Sequence, residues 1–249
     1  MKLWVLMENT ACCDDFAAEH GLSLYMETGK RRILFDMGQS AAFFGCNSVA
    51  SLYVSPYAFE PHFGKGGKNI GPDPALENCG RLVMAEDRDL VSGLSLHSCK
   101  ELLRLRPLDP AGLCAVRDGN LMPEDFRHEQ YLLIREQDRR ILISGCSHKG
   151  IVDIVWWQQP DVLVGGFHLR DISPENPALE QIAATLLESP TVYYHDISVP
   201  DENVKYIDIE LVKSLCSLKL LKASSFYPVI LVMAQKSFTE ADSRLQEGH

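Results

Sequence analysis

The run at 140–169, RILISGCSHKGIVDIVWWQQPDVLVGGFHL, restricts the possible folds more than any other part of the chain. It reads as a strand to Ser144, a helix over 148–158 with Ser147 as its N-cap and Pro160 as its stop, and a strand over 161–165. That second strand is rich in Val and Leu with little alternation, as in strands buried on both faces. Ser173-Pro174 then opens a second helix to about 189, with Leu179, Ile182, Ala183 and Leu186 on one face, and 191–194 supplies a third strand. Strand–helix–strand–helix–strand requires a parallel sheet with right-handed crossovers. The tips at 145–148, 166–168 and 195–196 then share one edge, where ligands collect in open α/β sheets.

The earlier part of the chain echoes this plan. After a first strand over 2–7, GLSLYMETGKRRILFDMGQS reads as a β-hairpin turning at Thr28-Gly29-Lys30 and ending in Asp36-Met37-Gly38. EQYLLIREQDRRILISGCSH repeats it, with strands at 131–135 and 140–144 about a Gln137-Asp138 turn. RRILFDMG beside RRILISGC suggests two pseudo-symmetric halves, with a chance likeness of short hairpins as the alternative. Between the halves, 60–130 reads as a loop-rich insert placed to cover a pocket or to lie on the surface.

Charge narrows the partners. With 24 basic against 34 acidic residues the net charge is −10, which argues against nucleic acid or an anionic membrane. The eight cysteines form no CxxC pair or regular framework, so reduced thiols in a cytoplasm are the simpler reading. The apolar start is too short for a signal-peptide core, and 227–234, broken by Pro228, is too short to span a membrane. A soluble, cytoplasmic protein with a small-molecule substrate is expected.

Taken together, ENTA, EHGLSLYMETGKRRILFDMGQS, PEDFRHEQYLLI, ISGCSHKGIVDIV, DVLVGGFHL and TVYY resemble the metallo-β-lactamase-fold hydrolases. The nearest branch is that of dihydropterin-ribofuranosylaminobenzene-phosphate synthase-like proteins. The resemblance is collinear to about Tyr194 and implies a single α/β domain over 1–249, an αββα sandwich incomplete in its first half. In that family an SHGHYDH-type cluster on the strand end after Asp-x-Gly supplies most metal ligands. Here no H-x-H-x-D-H occurs, and a seam near 45–52 suggests that a helix, a strand and the histidine loop are missing. Residues 196–249 do not follow the family and form a divergent C-terminal segment.

The resemblance assigns metal-ligand roles to His148 in GCSH, His168 in GGFHL and His195 at the next tip. A hydrolytic zinc site wants three or more donors and a position for water, so one divalent ion at most, weakly held, is expected. The bland alternatives are a polar cap at His148 and a satisfied core histidine at His168. Asp36 is a candidate for orienting the histidine loop by accepting its hydrogen bonds. Cys146 is either a soft ligand, a nucleophile paired with His148, or a small residue at a tight turn. His128 faces either the pocket or solvent, Gly64-Lys65-Gly66-Gly67-Lys68 is a weak phosphate-holding signal, and Trp156 and Trp157 read as helix packing onto the sheet. His20, His62 and His97 carry no chemistry arguable from sequence. The expected function is a zinc-type hydrolase acting on a small phosphorylated or ester substrate, with a non-catalytic remnant serving in binding as the alternative.

Overall fold

The computed structural model describes residues 2–7, 23–28, 31–36, 51–72, 74, 77, 82–106, 108–168, 176–188, 191–194 and 229–232. Two six-stranded sheets face each other. The first contains β1 (Lys2–Met7), β2 (Ser23–Glu27), β3 (Arg32–Phe35), β4 (Ser51–Val54), β6 (Leu82–Met84) and β15 (Val229–Val232), in the order β1-β2-β3-β15-β4-β6. The second contains β7 (Arg88–Val91), β8 (Leu94–His97), β11 (Tyr131–Glu136), β12 (Arg139–Ile143), β13 (Val162–Gly165) and β14 (Thr191–Tyr194), in the order β14-β13-β12-β11-β8-β7. A small sheet of β5 (His62–Phe63), β9 (Cys114–Arg117) and β10 (Asn120–Pro123) stands beside them.

The echo in the sequence is an echo in register. Leu24 faces Phe35 and Met26 faces Ile33 in the first hairpin; Leu132 faces Ile143 and Ile134 faces Ile141 in the second. These eight side chains meet between the sheets in one buried cluster. Because side chains alternate along a strand, Tyr131, Leu133 and Leu142 point the other way. They pack with Leu163 against Ile151, Ile154 and Val155 of α1 (Ile151–Gln158) and Ile182 of α2 (Pro177–Glu188). Gln137 and Asp138 both have positive φ, which matches the twist of the tight hairpin they close. β12, β13 and β14 are parallel, as the strand–helix–strand pattern requires.

Several local expectations change. α1 begins at Ile151, because Ser147 and Gly150 have φ of 60° and 93° and the Ser147 hydroxyl turns away from the helix. α2 begins with Pro177 at its first turn; 173–175 lie outside the described residues. Trp156 is 48% exposed, whereas Trp157 packs against the core under α1 as expected and also donates its indole N–H to the Leu103 carbonyl. Among the described residues of 60–130 there are six strands, three of which belong to the large sheets. Beyond the seam near 45–52 a strand is present: β4 lies between β15 and β6, parallel to both. The divergent C-terminal segment contributes β15, which inserts parallel to β3 and β4. Among the described residues no helix is long and apolar enough to cross a membrane.

Candidate functional site

The GCSH and GGFHL tips are held together by one close approach. A Cβ on Gly165 would lie 2.2 Å from the Ser144 carbonyl oxygen, so only glycine fits. With that space open, the Ser144 N–H donates to Val164 O, the Gly166 N–H to Gly145 O, and the Ser147 hydroxyl to Gly166 O. The clamp sets the His148 and His168 rings side by side, centroids 4.4 Å apart. Ser147 and His168 both sit at positive φ, and so does the bulky Phe126, whose ring stacks on His148 at 4.7 Å and 11°. Backbone held in sparsely populated conformations on three sides of one imidazole is the pattern of an over-determined site.

The support for His148 comes from the PEDFRHEQ segment leading into β11. Its backbone N–H donates to Glu129 Oε2 at 2.9 Å, and its Nδ1 lies 3.3 Å from the same oxygen. Burial works against ionising Glu129, but the His148 contact and the nearby Lys149 ammonium outweigh it and hold the carboxyl below the ordinary range. Burial in turn pushes the Lys149 amine down against the pull of Glu129; its Nζ donates to the Ser98 and Glu129 carbonyls. Gln130 donates to Ala85 O at 2.6 Å, just beyond β6, so the segment bridges the tips of both sheets.

On its other side the same segment builds a second cluster. Glu124 accepts from His62 Nδ1 at 2.6 Å through Oε2, and from the Asp125 and Phe126 N–H groups through Oε1. Burial raises the Glu124 carboxyl, yet the His62 hydrogen bond and the His128 ring beside it bring it down to about 2. The His62 and His128 rings meet edge to face at 4.4 Å. Burial, reinforced by His62, pushes the His128 imidazole down to about 3, so it is neutral at physiological pH. Its Nδ1 has no hydrogen-bond partner, and Glu124 Oε1 lies 3.8 Å away.

An open cavity of about 620 Å³ adjoins the first cluster. His148, His168 and the start of α1 line it, together with Lys65, Arg106 and Asp109 from the 60–130 stretch. The structure thus brings His148 and His168 together at a cavity. His195 lies outside the described residues. Cys146 is half-buried and absent from the cavity wall. Asp36 is buried at φ 60° at the end of β3, where its carbonyl accepts the Ser23 hydroxyl, and it too is absent from that wall. His128 faces neither the cavity wall nor solvent but the buried cluster. Sequence reasoning passed over His62, Glu124 and Glu129; the available signal was the four-residue Glu124–His128 spacing in an acidic stretch before an apolar strand.

Comparison with known proteins agrees with this architecture. No family model matches the chain. A crystal structure of Tm1679, a metal-dependent hydrolase of the beta-lactamase superfamily, superposes with a TM-score of 0.62 at 18% identity, covering 93% of this chain and 95% of that one. The fold is therefore a metallo-β-lactamase-like α/β sandwich. An uncharacterized protein of Methanocaldococcus jannaschii is 23% identical over 209 residues, 68% of this chain and 80% of that protein.

Proposed function

We propose that the chain is a metal-dependent hydrolase that holds one divalent ion of the zinc type through His148, His168 and His195 and acts on a small phosphorylated or ester substrate. The observation that carries this reading is the His148–His168 pair on the wall of the 620 Å³ cavity. The donor chemistry suits such an ion: neutral imidazoles are good zinc ligands, and a carboxylate at Nδ1 is the usual device for orienting one, as Glu129 does for His148. When bound, the ion would supply a Lewis acid and a water acidified toward neutrality. Lys65 and Arg106, beside Asp109, bring two cationic side chains to the cavity that could receive an anionic substrate group. Phe126 excludes water from one face of His148 and fixes its ring plane. A cytoplasmic setting with reduced thiols, a small-molecule substrate, and no nucleic-acid or membrane partner complete the reading.

The test is metal content together with hydrolysis of p-nitrophenyl phosphate and ester probes by the purified chain. Zinc-dependent turnover abolished by His148→Ala is expected; turnover that survives this substitution sinks the proposal. One observation favours a second reading, a binding protein without catalysis. The loop after β4 is Ser55-Pro56-Tyr57-Ala58-Phe59-Glu60-Pro61-His62, with His62 its only histidine. Saturable binding of phosphate or a phosphate ester in the absence of any turnover, with and without zinc, would select this reading.

A further inference from the structure

We propose that His62, Glu124 and His128 form a buried site for a divalent cation of the zinc type, separate from the cavity and serving to tie the loop after β4 to the approach to β11. One donor atom from each residue lies within 4.8 Å of the others, and the three residues are 1%, 3% and 5% exposed. Zinc–nitrogen and zinc–oxygen bonds of about 2.0–2.2 Å put neighbouring tetrahedral donors roughly 3.4 Å apart, a small adjustment from this spacing.

Each ligand is already prepared from behind. His62 Nε2–H donates to Tyr57 O at 3.1 Å, the backbone-carbonyl contact that fixes a ligating histidine's tautomer and leaves Nδ1 as the donor. Glu124 Oε1 is held by the N–H groups of Asp125 and Phe126 at 3.0 and 2.9 Å and by Arg117 Nη2 at 3.2 Å, which leaves Oε2 for the ion. His128 Nδ1 is buried with no hydrogen-bond partner, an arrangement that proteins penalise unless something fills it. The position for the ion lies between His62 Nδ1 and Glu124 Oε2, now 2.6 Å apart. Binding opens this pair so that the ion sits between the two donors. Two imidazoles and one carboxylate suit zinc, and supply too few oxygens for calcium or magnesium.

The site is distinct from the cavity. None of its three residues lines the cavity, and the Phe126 ring stands beside both histidine groups, 6.3 Å from His128 and 4.7 Å from His148. Burial on this scale points to a structural ion. It would join the tip of the first sheet, through residues 55–62, to Glu124 and His128.

Cobalt(II) titration of the chelator-stripped full chain tests the proposal. The His148→Ala/His168→Ala variant should keep one equivalent of cobalt, with visible d–d absorption and a raised Tm. His128→Ala and Glu124→Gln should each lose that equivalent while retaining wild-type far-UV circular dichroism. The idea is overturned if the double variant binds no cobalt, or if folded His128→Ala and Glu124→Gln proteins both retain the absorption. Loss of hydrolysis in His148→Ala reports on the cavity site instead, so the two proposals fail separately.

Discussion

At the tip of the second sheet, β12 and β13 are neighbours, and the missing side chain at Gly165 lets their ends touch, so His148 and His168 emerge side by side. At the tip of the first sheet, β15 lies between β3 and β4, so Asp36 and the loop at 55–62 leave from strands that are not adjacent. The histidine of that loop is taken up by PEDFRHEQ, where His62 pairs with Glu124. Two sheets with matching hairpin registers therefore end in different chemistry: a strained pair facing a cavity, and a closed cluster facing the interior. Hairpin register sets the core; strand adjacency decides which tips can cooperate.

Removing one carboxylate from each tip tests that difference most severely. Glu129→Gln leaves the buried Lys149 ammonium and His148 without their anionic partner, and breaking such a buried pair costs about 3–5 kcal/mol. Glu124→Gln leaves Arg117 still paired with Asp125, and the Gln amide oxygen can still accept from His62 Nδ1, so about 1–2 kcal/mol is expected in the metal-free protein. Urea unfolding of both variants in chelator should show this ranking. A reversed order would mean that the first-sheet tip is the stiffer one.

The close approach itself is probed by Gly165→Ala. The new Cβ meets backbone oxygen, which cannot rotate away, so a loss of about 3 kcal/mol is expected, at the upper end of overpacking costs. Gly119→Ala also places a side chain at positive φ, but with nothing within 4 Å, and should lose about 1–2 kcal/mol. Equal unfolding midpoints for the two variants would remove the clamp between Ser144 and Gly166 from the argument.

Much of this architecture was legible in the sequence. The hairpins at 23–35 and 131–143 and the parallel run β12-β13-β14 follow from short apolar strand runs, tight turns and helical spacing, which are local signals. The GCSH and GGFHL tips were legible for the same reason, since each ends a strand. β15 was not, because its partners β3 and β4 are some two hundred residues away and only the folded sheet declares the gap it fills. Nor was the pairing of His62 with Glu124, 62 residues apart, since no periodicity links a turn after β4 to the entry of β11. Ser147 misled because a serine before a helix usually caps it, whereas here its hydroxyl joins the strand tips.

The outer face of the second sheet offers a pH test that leaves both tips untouched. Cys99 is buried there, accepts a hydrogen bond from Gln158, and burial pushes its thiol up to about 11 from an ordinary 9. The folded state therefore resists ionisation while the unfolded state does not. Stability from this thiol is fully present below pH 9 and is lost as the pH rises to about 11. At about 1.4 kcal/mol per pKa unit, the loss amounts to about 2–3 kcal/mol. Urea midpoints between pH 8.5 and 11 should fall more steeply for the wild type than for Cys99→Ala. Parallel slopes would show that the thiol is not sealed from water by this face.

The smallest effect separates the two parts of the clamp. Ser147→Ala removes the hydroxyl that joins Ser144 Oγ to Gly166 O, both buried, and keeps a Cβ at φ 60°. Losing a buried hydrogen-bonded hydroxyl costs about 1–2 kcal/mol. Ser147→Gly loses the same bonds but relieves a left-handed conformation worth about 1 kcal/mol, so it should be the more stable of the two. The gap between these variants measures the backbone strain at the tip, and their common loss measures the clamp. If both match the wild type, the juxtaposition of His148 and His168 depends on Gly165 and the strand pairing alone, and the second-sheet tip is simpler than its hydrogen bonds imply.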